Sequence, residues 1–118
     1  MVFVEGFVIA VPRAKKDEYI RFSNATVPYF RRHGALTIVE TWESDVPDGE
    51  VTSFPKAVHR KPDEAIVFSW ITWPDKATRD AAYPKMFEAM EASGDGPGDP
   101  PFDGKRMIFG GFETIVDA

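Results

Sequence analysis

The sequence predicts an α+β fold in the order β-α-β-β-α-β. Three observations predict it. Four stretches have strand-like composition, two longer segments carry apolar residues at helical spacing, and Gly- and Pro-bearing breaks separate them. At 118 residues the chain is long enough for one sizeable core and too short for two, so residues 1–118 read as a single domain.

Each element has its own signal. Phe3 to Val11 alternates like a strand, and Pro12 ends it. In "RAKKDEYIRFSNATVPYFRRHG", Tyr19, Phe22, Thr26, Tyr29 and Phe30 recur at spacings of three and four, which places them on one helical face. Gly34 is a C-terminal stop. Pro28 removes a backbone hydrogen bond and predicts a kink or split near Asn24. "ALTIVETWES" reads as the second strand and "EAIVFSWITW", residues 64–73, as the third. Asp75 is the expected N-cap of "KATRDAAYPKMFEAMEAS", in which Pro84 is expected to start a new segment. Residues 94–104, "GDGPGDPPFDG", read as irregular. "RMIFGGFETIV" is the last strand, where Gly110-Gly111 signals a bulge or a close backbone approach.

This order is ferredoxin-like: a four-stranded antiparallel sheet with two helices on one face. A sheet with one wet face alternates apolar and polar residues. The third strand does not, since Ile66, Phe68 and Trp70 share one side while Val67, Ile71 and Trp73 share the other. The first strand is also apolar on both sides. Two helices cover one face; a second copy of the chain is the economical cover for the other, so the sequence predicts a homodimer packed sheet to sheet.

Composition excludes several classes. The net charge of −5 offers no basic footprint for nucleic acid. The basic cluster Arg31-Arg32-His33 falls where cations complement a helix dipole. There is no cysteine, so disulfides, thiolate nucleophiles and cysteine-ligated metals are out. The apolar start carries Glu5, lacks a basic leader and alternates, unlike a signal peptide, and no run has the length to span a membrane. A cytoplasmic protein is expected. Ten Phe, three Tyr and three Trp are many rings for a small core and raise the expectation of a lined pocket or an interface.

The stretch "TWESDVPDGEVTSFP" gathers Asp45, Asp48 and Glu50 around Pro47 and Gly49. Counted from Asp45 as a calcium loop, the third position is Pro and the fifth is Gly, so the ligand template fails. Pro47-Asp48-Gly49 fits a tight turn, followed by a strand-like stretch. His33 and His59 lack the spacing of a metal pair, and no metal or cofactor is expected. No G-x-S-x-G, GxGxxG or P-loop is present.

Acids inside strands are the more informative residues. Glu5 shares a parity with Phe3 and Phe7, Glu40 with Ile38 and Trp42, and Glu113 with Phe109 and Ile115. A carboxylate on a covered face must be paired, neutral or facing a cavity. Glu5 and Glu40 are the candidate acid–base residues; the plainer reading is an ion pair with a partner subunit or exposure at a strand end. Trp42, Trp70 and Trp73 are candidates to line a pocket for a planar or aromatic ligand, although Trp70 and Trp73 cannot serve one face. Residues 94–104 are a lid over such a pocket or an ordinary connector.

Four blocks, "VEGFVIAVP", "GALTIVETWESDVPDGEVTSFPKAV", "IVFSWITWP" and "PFDGKRMIFGGFE", resemble the YbaA-like bacterial family of unknown function across nearly the whole chain. Residues 75–99 are its least family-like part. The resemblance implies the dimeric α+β-barrel superfamily, in which two ferredoxin-like sheets face each other. Cofactor-independent monooxygenases, haem-degrading enzymes, lactone isomerases and ligand-sensing domains share that superfamily. It implies a pocket between sheet and helices but no single chemistry, and it brings no catalytic residues with it. The expected function is a small-molecule-binding protein or cofactor-independent enzyme of monooxygenase or isomerase kind; the alternative is a non-catalytic ligand sensor or homodimeric interaction module.

Overall fold

A computed structural model describes residues 1–118. The elements are β1 (Phe3–Pro12), a 3-10 turn (Arg13–Lys15), α1 (Lys16–Arg32), β2 (Thr37–Trp42), α2 (Phe54–Ala57), β3 (Glu64–Trp73), α3 (Lys76–Ser93) and β4 (Ile108–Glu113). The strands form one antiparallel sheet in the order β2-β3-β1-β4. The long apolar strands β1 and β3 are therefore central, and the short ones are the edges.

Strand parity divides the sheet faces. Phe3, Ile71 and Trp73 pack under the helices with Tyr29 from α1 and Ala82 and Met86 from α3. Ile9, Val11 and Val67 continue that face beneath Tyr19, with Phe102 and Met107 over them. The opposite face is covered at one end by the chain itself. Val58, fully buried, packs on Val8, Ala10 and Ile66, with Val46 beside it. The connector between β2 and β3 thus does part of the covering that the sequence assigned to a second copy. The other end stays open: Phe68 is 44% exposed and Phe112 60%. With Val4, Trp70 and Ile108 they line a broad, almost wholly apolar hollow.

Several expectations need correction. Neither helix breaks at its proline: α1 runs unbroken past Pro28 and α3 past Pro84. Proline costs an interior hydrogen bond, but its φ is helical. Buried residues flank each proline within one continuous helix, Ser23 and Tyr29 around Pro28, Ala82 and Met86 around Pro84. The stretch after Gly49 is no strand. Ser53 caps α2 by accepting the Lys56 N–H at 3.1 Å, with a proline in its first turn. Gly110-Gly111 makes no bulge, because the register with β1 runs through both. It is a close approach instead: a Cβ on Gly111 would strike the Phe3 ring.

Other local signals hold. Asp75 caps α3 by accepting the Thr78 N–H at 2.7 Å, and Gly94 closes that helix at φ +69°. Gly49 takes φ +66°, the left-handed backbone that favours glycine, although Pro47-Asp48-Gly49 forms no hydrogen-bonded turn. Asp48, in the same stretch, pairs with Arg60 at 3.2 Å.

Two acids that the sequence reading passed over fasten the connector. Glu43 Oε1 accepts from Arg60 at 2.7 Å and from the Ile66 N–H at 2.7 Å. Glu64 takes both ends of the Arg106 guanidinium, at 2.8 and 2.7 Å, and the Lys61 N–H at 2.8 Å. Arg106 also donates to the His59 carbonyl at 2.9 Å. It ties the segment before β4 to the start of β3. The Arg106 contacts hold the Glu64 carboxyl below its ordinary range.

Candidate functional site

A cavity of about 330 Å³ lies between the sheet and the helices. α1 supplies Phe22 and Ser23, β2 supplies Ile38 and Glu40, and α3 supplies Tyr83. Phe102, from the irregular segment, closes one side with its ring centroid 5.8 Å from Tyr19 and 5.9 Å from Phe22. The walls are mainly aromatic and aliphatic, as helical spacing in α1 and parity in β2 dictate. Polar groups are few.

Glu40 is the charged group on the lining. Its Oε1 accepts the Tyr19 hydroxyl at 2.7 Å and its Oε2 the Ser23 hydroxyl at 2.7 Å. No Lys, Arg or His lines the cavity, so the carboxylate is hydrogen-bonded but has no cation beside it there. Burial, and then the charge of Glu40, push the Tyr19 phenol well above its ordinary range. Tyr19 is thus a proton donor to Glu40 and stays protonated.

Glu5 is placed differently. It is 4% exposed and lies behind the cavity wall. Trp73 Nε1 donates to it at 2.8 Å, Arg79 at 3.0 Å, and the Tyr83 hydroxyl reaches its two oxygens at 2.9 and 3.1 Å. Tyr83 is the link, lining the cavity on one side and bonding Glu5 on the other. Burial, then Glu5, push the Tyr83 phenol above its usual range. The ion-pair reading of Glu5 anticipated a cation from a partner subunit; the cation is Arg79 of the same chain. Glu113 is exposed on β4.

The three tryptophans do not gather round one cavity. Trp73 is fully buried in the core and serves Glu5. Trp42 packs beside Tyr19 and Val67, with the Lys16 ammonium 5.3 Å from its ring. Trp70 stands on the opposite face against Phe68, with centroids 5.7 Å apart. His33 is the C-cap residue of α1, and its Nε2 is buried without a partner. His59 is exposed in the connector. No three His, Asp or Glu side chains converge closely enough to hold a metal ion.

The sequence reading missed the residues that set these carboxylates. Tyr19 and Ser23 are on α1, and Arg79 and Tyr83 are on α3. Tyr19 did fall on the predicted inner face. Ser23 lies one turn after it and carried no apolar signal.

Residues 2–104 match the family described as "Protein of unknown function (DUF1428)". The chain belongs to that family. DUF1428 relatives include the uncharacterized protein YbaA of Escherichia coli K12, 52% identical over 119 residues, covering 99% of each chain. The Shigella flexneri protein of the same name matches to the same extent. Such coverage carries the DUF1428 kinship across every element of the sheet and both long helices. A de novo designed protein, Foldit4, overlays on 99% of this chain with a TM-score of 0.44 and 13% identity, a likeness too remote to bear on fold or function. No helix is long and apolar enough to cross a membrane.

Proposed function

We propose that this is a cytoplasmic small-molecule-binding protein that works as a ferredoxin-like homodimer. The observation that carries the ligand reading is the apolar cavity with Glu40 on its wall and no cation beside it. Volumes of this order suit ring-sized ligands. In the catalytic form of the reading, Glu40 is the general acid or base for a cofactor-independent oxidation or isomerisation of a planar substrate, and Tyr19 and Ser23 position it. Residues 94–104 then act as a lid that carries Phe102.

Strand order β2-β3-β1-β4 with both long helices on one face supports the ferredoxin-like reading. The open apolar hollow around Phe68, Trp70 and Phe112 supports sheet-to-sheet pairing, with Trp70 in the interface. Stable pairs bury about 800 Å² on each partner, and patches this apolar seldom stay in water.

A non-catalytic sensor is the second reading. It is favoured by Glu5, whose three donors leave it no part in proton transfer, so that the cavity has one carboxylate rather than an acid–base pair.

Native mass spectrometry on gently purified protein tests the proposal. A dimer with a retained small molecule is expected, and Thr26→Trp, which fills the cavity, should lose the added mass while remaining dimeric. A monomer would overturn the assembly. Identical retention in Thr26→Trp would overturn the site.

A further inference from the structure

The direction of the hydroxyl protons around the cavity selects its ligand. Tyr19 and Ser23 both donate their single protons to Glu40. Thr26 donates to the Ser23 carbonyl at 2.7 Å, and Tyr83 donates to Glu5. A hydroxyl whose proton is committed offers only lone pairs to anything else. Among the hydroxyls on the lining, only Ser69 has a proton without a partner. Glu40 accepts one bond on each oxygen, and a carboxylate has about four acceptor sites, so both oxygens keep capacity. The polar side of this cavity is therefore made almost wholly of acceptors and bears a negative charge. The remaining wall is largely aromatic, with Phe22, Phe30, Phe87 and Phe102 among its rings. Ring faces attract cations through their quadrupoles.

We infer that the cavity takes an aromatic amine, with its ring among the phenylalanines and its ammonium on Glu40, and rejects carboxylates and phosphates of the same size. An amine supplies the N–H donors and the charge that the site lacks. Glu40 is exposed on edge strand β2, so solvent screens it in part, but an anion would still meet a like charge with no cation on the lining and one serine proton to receive it. The inference rests on the cavity's being a ligand site, as proposed above, and adds the sign of the ligand's charge.

A charge series on one skeleton tests it: naphthylmethylamine, naphthol, naphthoate and bare naphthalene, titrated into the full chain by calorimetry or by tryptophan and ligand fluorescence near neutral pH. The amine is expected to bind at least tenfold tighter than the carboxylate, with naphthol between them. In Glu40→Gln that ratio should shrink to about threefold or less, chiefly through weaker amine binding. Thermal unfolding of that variant shows whether it is folded, and the unaltered protein gives the sign without it. Naphthoate binding as tightly as the amine would overturn the inference while leaving the cavity a ligand site. No binding by any member, bare naphthalene included, would overturn both. An unchanged ratio in a folded Glu40→Gln would show that the selectivity does not come from Glu40 and would likewise refute the inference.

Discussion

Replacing Arg79 with Met perturbs the charge balance at the buried end of β1; it also removes the Arg79–Asp80 pair at 2.8 Å, an exposed contact that contributes little. Glu5 is 4% exposed and Arg79 is the cation that meets it, at 3.0 Å. The Arg79 guanidinium also lies 4.8 Å from the Phe3 ring centre. Met keeps most of the apolar stem and loses the charge, so the change reads electrostatics more than packing. Removing one member of a buried ion pair leaves an uncompensated charge and costs about 3–5 kcal/mol. For a domain of this size, at about 4 °C per kcal/mol, the melting temperature should fall by about 10–20 °C. Glu5→Gln in the Arg79→Met background should recover at least half of the loss. Its amide oxygen can still accept from Trp73 and Tyr83, and no bare charge remains. Calorimetric unfolding of the four proteins closes the cycle. A loss under about 1 kcal/mol for Arg79→Met, or a Glu5→Gln change that destabilises both backgrounds equally, would refute the reasoning.

Three other outcomes are expected. The Glu64 carboxyl titrates below its ordinary 4.5 in the folded protein, chiefly through Arg106. A depressed folded value gives stability that is complete above that range and drains away as pH falls through and below it. The urea midpoint should therefore drop between pH 6 and pH 3, and drop less steeply in Glu64→Gln. Gly111→Ala forces the Phe3 ring aside and should cost about 1–3 kcal/mol in chemical denaturation, whereas Gly104→Ala, with open space around it, should be nearly neutral. Phe68→Asp on the open sheet face should give a folded monomer by sedimentation velocity, against a dimer for the parent; a dimeric Phe68→Asp protein would place the interface elsewhere.

Patterns with a short period were legible in the sequence. β3 occupies the residues its composition marked, and Asp75 caps α3 as its position required. Parity grouped Glu5 with Phe3 and Phe7 and Glu40 with Ile38 and Trp42, but which face each group takes came only from the structure, which turns both toward the helices. What failed was competition between local and distant forces. Proline's local cost argued for a kink or split at Pro28 and a new segment at Pro84, yet each helix continues through its proline, with buried residues on both sides. The donors to Glu5 come from Trp73, Arg79 and Tyr83, far along the chain, and no spacing rule links them. Ser53-Phe54-Pro55 did carry a short-helix signal, a capping serine before an early proline. The β-branched and aromatic residues around it, Val51, Thr52 and Phe54, carry the opposing strand signal. The shielding of one sheet end by Val58 and Val46 was illegible for another reason: apolar residues scattered through the connector at irregular spacing give no period to detect.

The sheet order also sets a timetable for synthesis. β1 is central, yet both of its neighbours lie later in the chain, β3 from Glu64 and β4 from Ile108. Its last partner, Glu113 opposite Phe3, is separated from it by nearly the whole chain. At about 5–20 residues per second, a ribosome takes roughly 5–20 s to travel from one to the other. Through that interval a strand that is apolar on both faces has one open edge at best. Contacts of such long range also make intrinsic folding slow. The nascent chain is therefore most vulnerable to association before β4 emerges, and a binder of exposed apolar strands would meet it at β1.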